Sequence, residues 1–179
     1  MISIRQGDLA AAPAAAVLRA VSAEWDAVTA SGRRLEMAAG PELEAQCRRM
    51  GELPVGSAVI TAAGTLRAQF VVHVVLRSSD EPVTVAIVRK GLQNGLRRVT
   101  EWGIESVAMA PLGTGAGNLD AADAARAMIP VLLGHLRTSQ HPAEIEIVVE
   151  SAYEQEVFER ELRSAQPAAE TGSESPASG

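Results

Sequence analysis

Between Val107 and Asp120 the chain reads VAMAPLGTGAGNLD, and this stretch holds its most suggestive chemistry. An apolar run, Val107 to Ala110, has the composition of a buried strand, and Pro111 breaks it. Gly113, Thr114, Gly115, Ala116 and Gly117 follow, before an amphipathic stretch that starts at Leu119. A strand that passes through a glycine-rich loop into a helix N-terminus can hold an anion. Small residues let backbone N–H groups approach phosphate oxygens, and the helix end favours negative charge. A tight strand-to-helix turn would use the same residues, so on loop composition alone both readings stand. The spacing is not that of a P-loop, because no Gly-Lys-Ser/Thr follows and Lys90 is the only lysine. Nor does it fit the dinucleotide fingerprint, whose third glycine opens the helix of an early βαβ unit.

The other reactive side chains are sparse. Cys47 is the only cysteine, which excludes an intramolecular disulfide and a multi-cysteine zinc site. It falls on the apolar stripe of a helix, where a thiol fills core. His73, His135 and His141 have no ligand-cluster spacing, so no metal is expected. No resident cofactor is expected either. The formal charge of −6 argues against nucleic acid as a partner, since phosphate contacts need a basic face. The basic residues are 15 arginines and one lysine among 16, a skew that matches the alanine-rich composition and not phosphate chemistry. Aromatic residues at 3% leave little for base stacking. No apolar run approaches the roughly 18–20 residues of a membrane span, and the N-terminus MISIRQGD lacks a signal-peptide layout. A cytoplasmic protein with no membrane partner is the expectation.

Alternation at Ile2 and Ile4 predicts an edge strand ending at Gly7-Asp8. Ala14 to Val21 is compatible with strand or helix. Leu35, Ala38, Ala39, Leu43, Cys47 and Met50 recur at helical steps, with Pro41 in the first turn of a second segment. Ala58–Thr61 and Phe70–Leu76 read as strands around a turn at Gly64, the second apolar enough to be covered on both faces. Asp80, Glu81 and Pro82 have helix-opening chemistry for the stripe Val85 to Trp102. Helices from Leu119 to Leu136 and from Tyr153 to Leu162 flank a strand at Ile145–Val149. Alternating strands and helices predict an α/β domain with helices on both sides of a mixed sheet. The domain is expected over residues 1–164. Residues 165–179, an Ala, Pro, Ser, Gly and Glu tail, are expected to be disordered.

With these elements placed, the chain resembles the macrodomain family, whose members bind ADP-ribose and its derivatives. The likeness rests on Gly7-Asp8-Leu9 after the first strand and on AAGPELEAQCRRMGELPVGSAVIT, Ala38 to Thr61. It rests also on Val71-Val72-His73 in the buried strand and on PLGTGAGNL, Pro111 to Leu119. The resemblance implies a three-layer α/β/α fold with a mixed central sheet. It further implies that Asp8 accepts from the exocyclic amine of adenine, with Leu9 against the ring. Gly113, Thr114, Gly115, Ala116 and Gly117 would wrap the diphosphate and distal ribose. Asn118 would take the place where the family often sets an aromatic, and Ser22 a place by the distal ribose. For Asp8 the residues alone equally suit a turn after Gly7.

Departures from the family pattern bear on activity. Counted back from Ala38-Ala39-Gly40-Pro41, the family's Asn-Ala-Ala-Asn falls on Arg19, Ala20, Val21 and Ser22. Its glycine-rich first loop falls on Ala27 to Leu35, where Gly32 is the one glycine and stands at the place of an aspartate. Each added Cβ narrows the approach of backbone to phosphate. The family's hydrolases use those groups to orient ribose and water, so no catalytic residue is assigned. The expectation is a binding module for ADP-ribose or a related nucleotide diphosphate, free or on a modified protein. The alternatives are a hydrolase with a site rearranged around Arg19, Ser22 or Asp26, and a scaffold that has lost the ligand. A nucleotide-dependent transferase would need a base near the loop, and Asp120 and Asp123 suit helix caps better. Arg33 and Arg34 are read as solvated, and Trp25 as a cap on the core beneath the first loop.

Overall fold

The computed structural model describes residues 1–166. Six strands form one sheet: β1 (Ile2–Gln6), β2 (Ala16–Ser22), β3 (Ala58–Ala62), β4 (Phe70–Arg77), β5 (Ser106–Met109) and β6 (Glu144–Val149). Their order is β1-β6-β5-β2-β4-β3. Every neighbouring pair is parallel except β3 with β4. The helices are α1 (Ala30–Ala39), α2 (Pro41–Arg49), α3 (Val85–Glu101), α4 (Ala121–Thr138) and α5 (Ala152–Ala165). The tail expectation, from residue 167 on, lies outside the described residues, and α5 itself runs to Ala165.

Side-chain alternation on β2 explains the layers. All seven residues of β2 are buried. Ala16, Leu18 and Ala20 enter one core with Val88, Leu92 and Leu96 of α3, Ala125, Met128 and Leu132 of α4, and Phe158 of α5. Val17 and Val21 enter a second core on the opposite face, with Leu35 and Ala39 of α1 and Leu43 and Cys47 of α2. A strand wedged between two apolar layers loses the polar-out signature of a half-solvated sheet, which is why Ala14–Val21 reads ambiguously. The fold is therefore a three-layer α/β/α sandwich around a mixed sheet.

Local chemistry sets most boundaries. Gly40 at φ +85° separates α1 from α2, and Pro41 occupies the first helical position of α2. Thr29, Ser151 and Asp120 cap α1, α5 and α4 by accepting from Gly32, Glu154 and Asp123 amides. The opening of α3 differs from the sequence expectation. Ser78 Oγ accepts from the Asp80 and Glu81 amides, so the acids close a turn after β4. Thr84 caps the helix instead, accepting from the Ile87 amide at 3.2 Å.

Gly64 fastens the end of α1. Its φ is +58°, and a Cβ there would stand 2.2 Å from the Ala39 carbonyl oxygen. The next residue donates twice to the helix terminus, Thr65 N to Ala39 O at 3.1 Å and Thr65 Oγ1 to Ala38 O at 2.7 Å. Gly64→Ala is expected to cost about 2–4 kcal/mol, from left-handed strain plus a clash with backbone. Denaturant unfolding checks this, with the midpoint lowered and the m-value unchanged.

Candidate functional site

Two loops meet at the carboxyl ends of the central strands. Loop two leaves β5 through Ala110, Pro111 and Leu112, all buried, and then turns at glycines with positive φ: Gly113 at +79°, Gly115 at +119° and Gly117 at +77°. The three serve different ends. A Cβ on Gly113 would lie 2.7 Å from Val88 Cγ2 and 2.9 Å from Val83 Cγ1, so that glycine lets the loop press on α3. At Gly115 a Cβ would come within 3.3 Å of the Val28 carbonyl oxygen, while at Gly117 it would meet nothing.

The loop closes on itself through Leu119 N to Gly113 O at 2.9 Å and Asn118 N to Gly115 O at 3.1 Å. Asn118 Nδ2 donates to Thr114 O, and Thr114 Oγ1 to Pro111 O. Among the described residues, the amides of Thr114, Ala116 and Gly117 have no acceptor within hydrogen-bond distance. The N-terminus of α4 is not open in the same way, because Asp120 Oδ1 takes the Asp123 amide at 2.7 Å. The open backbone donors thus lie in the loop and not at the helix end, which carries its own carboxylate.

Loop one, Ala27 to Gly32, lies against the sheet. Ala27 bridges Val21, the Val28 amide donates to Ala20 O at 3.3 Å, and both side chains are buried. Between the loops is a crevice lined by Leu9, Leu18, Arg19, Thr29, Ser31, Gly32 and Ala110 to Leu112. It is too narrow to admit a water molecule. Where glycines would leave space, the Val28 side chain packs into the core and the Ala27 methyl lies against the sheet, with the Val28 carbonyl oxygen 3.3 Å from where a Gly115 Cβ would stand.

The residues singled out by the sequence fall as follows. Leu9 is buried in the crevice wall. Asp8 is exposed beside it, with Oδ1 accepting from the Ala10 amide at 3.0 Å as the cap of a single 3-10 turn. Ser22 is buried and lies off the crevice lining. Its Oγ accepts from the Asp26 amide at 3.1 Å, and its own amide donates to Asp26 O at 2.8 Å. That turn carries Trp25 at φ +76°, the one non-glycine with positive φ among the described residues. Trp25 is buried, donates from Nε1 to Gly51 O at 2.7 Å and meets His73 edge-on at 5.4 Å. Arg33 is exposed, and Arg34 pairs with Glu150.

Beneath loop one lies a polar cluster whose pairing the sequence does not reveal. Arg19 of β2 stands in register with His73 of β4, and both face α1 and α2. Arg19 Nε donates to His73 Nδ1 at 2.9 Å, and Nη1 pairs with Glu36 of α1. Since Nδ1 accepts, the imidazole proton sits on Nε2, which donates to Thr61 Oγ1 at 2.8 Å, and Thr61 in turn donates to Ala62 O. Cys47 Sγ lies 3.9 Å from Arg19 Nη2 and 3.8 Å from His73 Nε2. Burial, with the Arg19 charge adding to it, holds His73 well below the usual histidine range. Burial also raises the Cys47 thiol, against the pull of Arg19. The one available signal was a charged and an ionisable residue inside two otherwise apolar strand runs. Among the described residues no group of three potential ligands could hold a metal, and no helix is long and apolar enough to cross a membrane.

A mixed sheet between two helices and three, with a glycine loop at the carboxyl end of β5, defines an α/β/α domain of the macrodomain class. A family model described as the macro domain matches residues 30–128, and the chain belongs to that family. It is 35% identical over 129 residues to an uncharacterised protein of Aeropyrum pernix, covering 70% of this chain and 67% of that one. An O-acetyl-ADP-ribose deacetylase 1 of Pantoea vagans is 32% identical over 120 residues, 64% of this chain and 70% of its own length. The chain spans 37% of an uncharacterised Mycobacterium tuberculosis relative, at 27% identity over 75% of this chain. A Trypanosoma brucei macrodomain solved in complex with ADP-ribose superposes with a TM-score of 0.80 at 18% identity, covering 89% of this chain and 68% of that one, a likeness of fold.

A neutral, buried His73 gives stability a pH dependence of definite sign. Its folded pKa lies below its unfolded value, so below about pH 6.5 the unfolded chain binds the extra proton. Stability is full above that pH and is expected to fall as pH drops, by up to about 1.4 kcal/mol per pH unit. Unfolding free energies from about pH 8 to about pH 5 check this, and the slope assigned to His73 is expected to vanish in His73→Gln.

Proposed function

We propose that this chain is a binding module for ADP-ribose or a closely related nucleotide diphosphate. In this reading the backbone of Gly113, Thr114, Gly115, Ala116 and Gly117 holds the diphosphate. Asp8 receives the adenine amine on the carboxylate oxygen that Ala10 leaves free, with Leu9 against the ring. Asn118 borders the distal ribose, and Ser22 acts indirectly by shaping the turn into loop one. The observation that carries the proposal is the set of loop amides, Thr114, Ala116 and Gly117, without acceptors in a segment of left-handed glycines. Membership of the macro domain family and a relative named for O-acetyl-ADP-ribose support the same ligand chemistry.

Binding requires loop one to lift. A pyrophosphate does not fit a crevice that excludes water, and Val28 is the residue whose carbonyl must leave Gly115. Binding without hydrolysis is favoured by the crevice lining, in which Thr29 and Ser31 bond to each other at 3.0 Å and no carboxylate or imidazole is present. A general base needs hydrogen-bond reach of the water it activates.

Calorimetric titration with ADP-ribose tests the proposal. Saturable binding is expected, with an affinity loss of more than about tenfold in Gly115→Glu, which adds a negative charge and a side chain at the loop contact. Asp8→Ala is expected to weaken ADP-ribose by about tenfold and to leave ribose 5-phosphate binding unchanged, because only the first ligand carries adenine. No heat at millimolar ADP-ribose with folded protein would overturn the binding reading in favour of a scaffold.

A further inference from the structure

A second cavity, of about 320 Å³, opens on the other side of loop one. Its nine lining residues are drawn from β2, the turn before loop one, the first residue of that loop, α1 and α2, and only Arg19 also lines the crevice. The volume is at the lower end of small-molecule sites.

The charges around it are unevenly satisfied. Glu36 is taken by Arg19 and Glu44 by Arg48, at 2.7 Å. Asp26 and Arg33 remain, one of each sign, and among the described residues neither side chain has an ion-pair or hydrogen-bond partner. Arg19 is 3% exposed, yet its guanidinium has more N–H groups than the acceptors it meets, and Nη2 reaches only the Cys47 sulfur at 3.9 Å. A buried guanidinium with spare donors at a cavity wall favours a ligand oxygen. The Trp25 indole and the Ala27 methyl supply the apolar part of the wall, and Trp25 is held there in left-handed strain of the kind that concentrates at functional positions.

We infer that this cavity is a binding site for a small zwitterion of amino-acid size. The ligand's carboxylate is held by Arg33, its ammonium by Asp26, and a carbonyl or amide oxygen reaches the spare N–H groups of Arg19. One unpartnered cation and one unpartnered anion facing the same space select against a simple anion, which would leave Asp26 repelled, and against a simple cation. The inference does not depend on whether the crevice takes ADP-ribose.

L-Glutamine is the probe, with glutaramic acid (carboxylate without ammonium) and 4-aminobutanamide (ammonium without carboxylate) beside it. Amide spectra of the folded protein are expected to show saturable shifts centred on Trp25 to Ala27 and Arg33 to Glu36 with glutamine. Each half-molecule is expected to bind at least about tenfold more weakly. Asp26→Asn and Arg33→Gln are expected to abolish the shifts while leaving the rest of the spectrum intact, since both side chains are exposed. Three results would overturn the inference: no shift at millimolar glutamine, equal binding of glutaramic acid, or glutamine binding that survives both substitutions.

Discussion

The arrangement depends on one buried cation. Arg19 sits in the middle of a strand covered on both faces, where an unpaired guanidinium would be prohibitive. Its position is tolerable because His73 presents a neutral ring nitrogen from the adjacent strand and Glu36 a carboxylate from α1. Those two bonds tie β2 to β4 and pull α1 down onto the sheet. Removing one partner of a fully buried ion pair costs about 3–5 kcal/mol, and less here because the Glu36 side chain keeps 30% exposure to water. With α1 held, its capping residue Thr29 and the rest of loop one are held too, and loop one then rests against loop two.

That clasp accounts for the shape of the site. In a loop of glycines, backbone alone would border the crevice; here Ala27 and Val28 have side chains whose burial stabilises the closed form. The Val28 carbonyl and Gly115 are the meeting point. The same construction leaves a shut crevice on one side of loop one, with the exposed turn of loop two beyond it, and on the other an open cavity with spare side-chain charges. Arg19 is common to both walls, so whatever moves loop one is felt on each side.

Much of this was legible in the sequence, and the reasons are local. Pro41 and Gly40 mark a helix boundary wherever they stand, and the apolar run at Phe70–Leu76 leaves no alternative to a strand covered on both sides. Caps at Asp120 and the turn before α2 follow from side-chain chemistry within a few residues. The onset of α3 was displaced because Ser78 captured the amides that Asp80 and Glu81 would have brought to a helix. The pairing of Arg19 with His73 was not legible, although each stands out in an apolar strand run. Their contact depends on β2 lying next to β4 in one particular register, a relation between residues 54 apart in sequence. Closure of the crevice is equally non-local, since it depends on a carbonyl of one loop meeting a glycine of another.

In the proposed binding mode, loop one moves aside as the diphosphate settles on the loop-two amides, because the crevice between the loops is shut. Amide chemical shifts followed through an ADP-ribose titration test it most directly. Thr114, Ala116 and Gly117 are expected to move together with Val28 and Thr29, along one saturation curve. Shifts in the loop-two amides with Val28 and Thr29 stationary would contradict the clasp, and shifts confined to residues outside both loops would contradict the site.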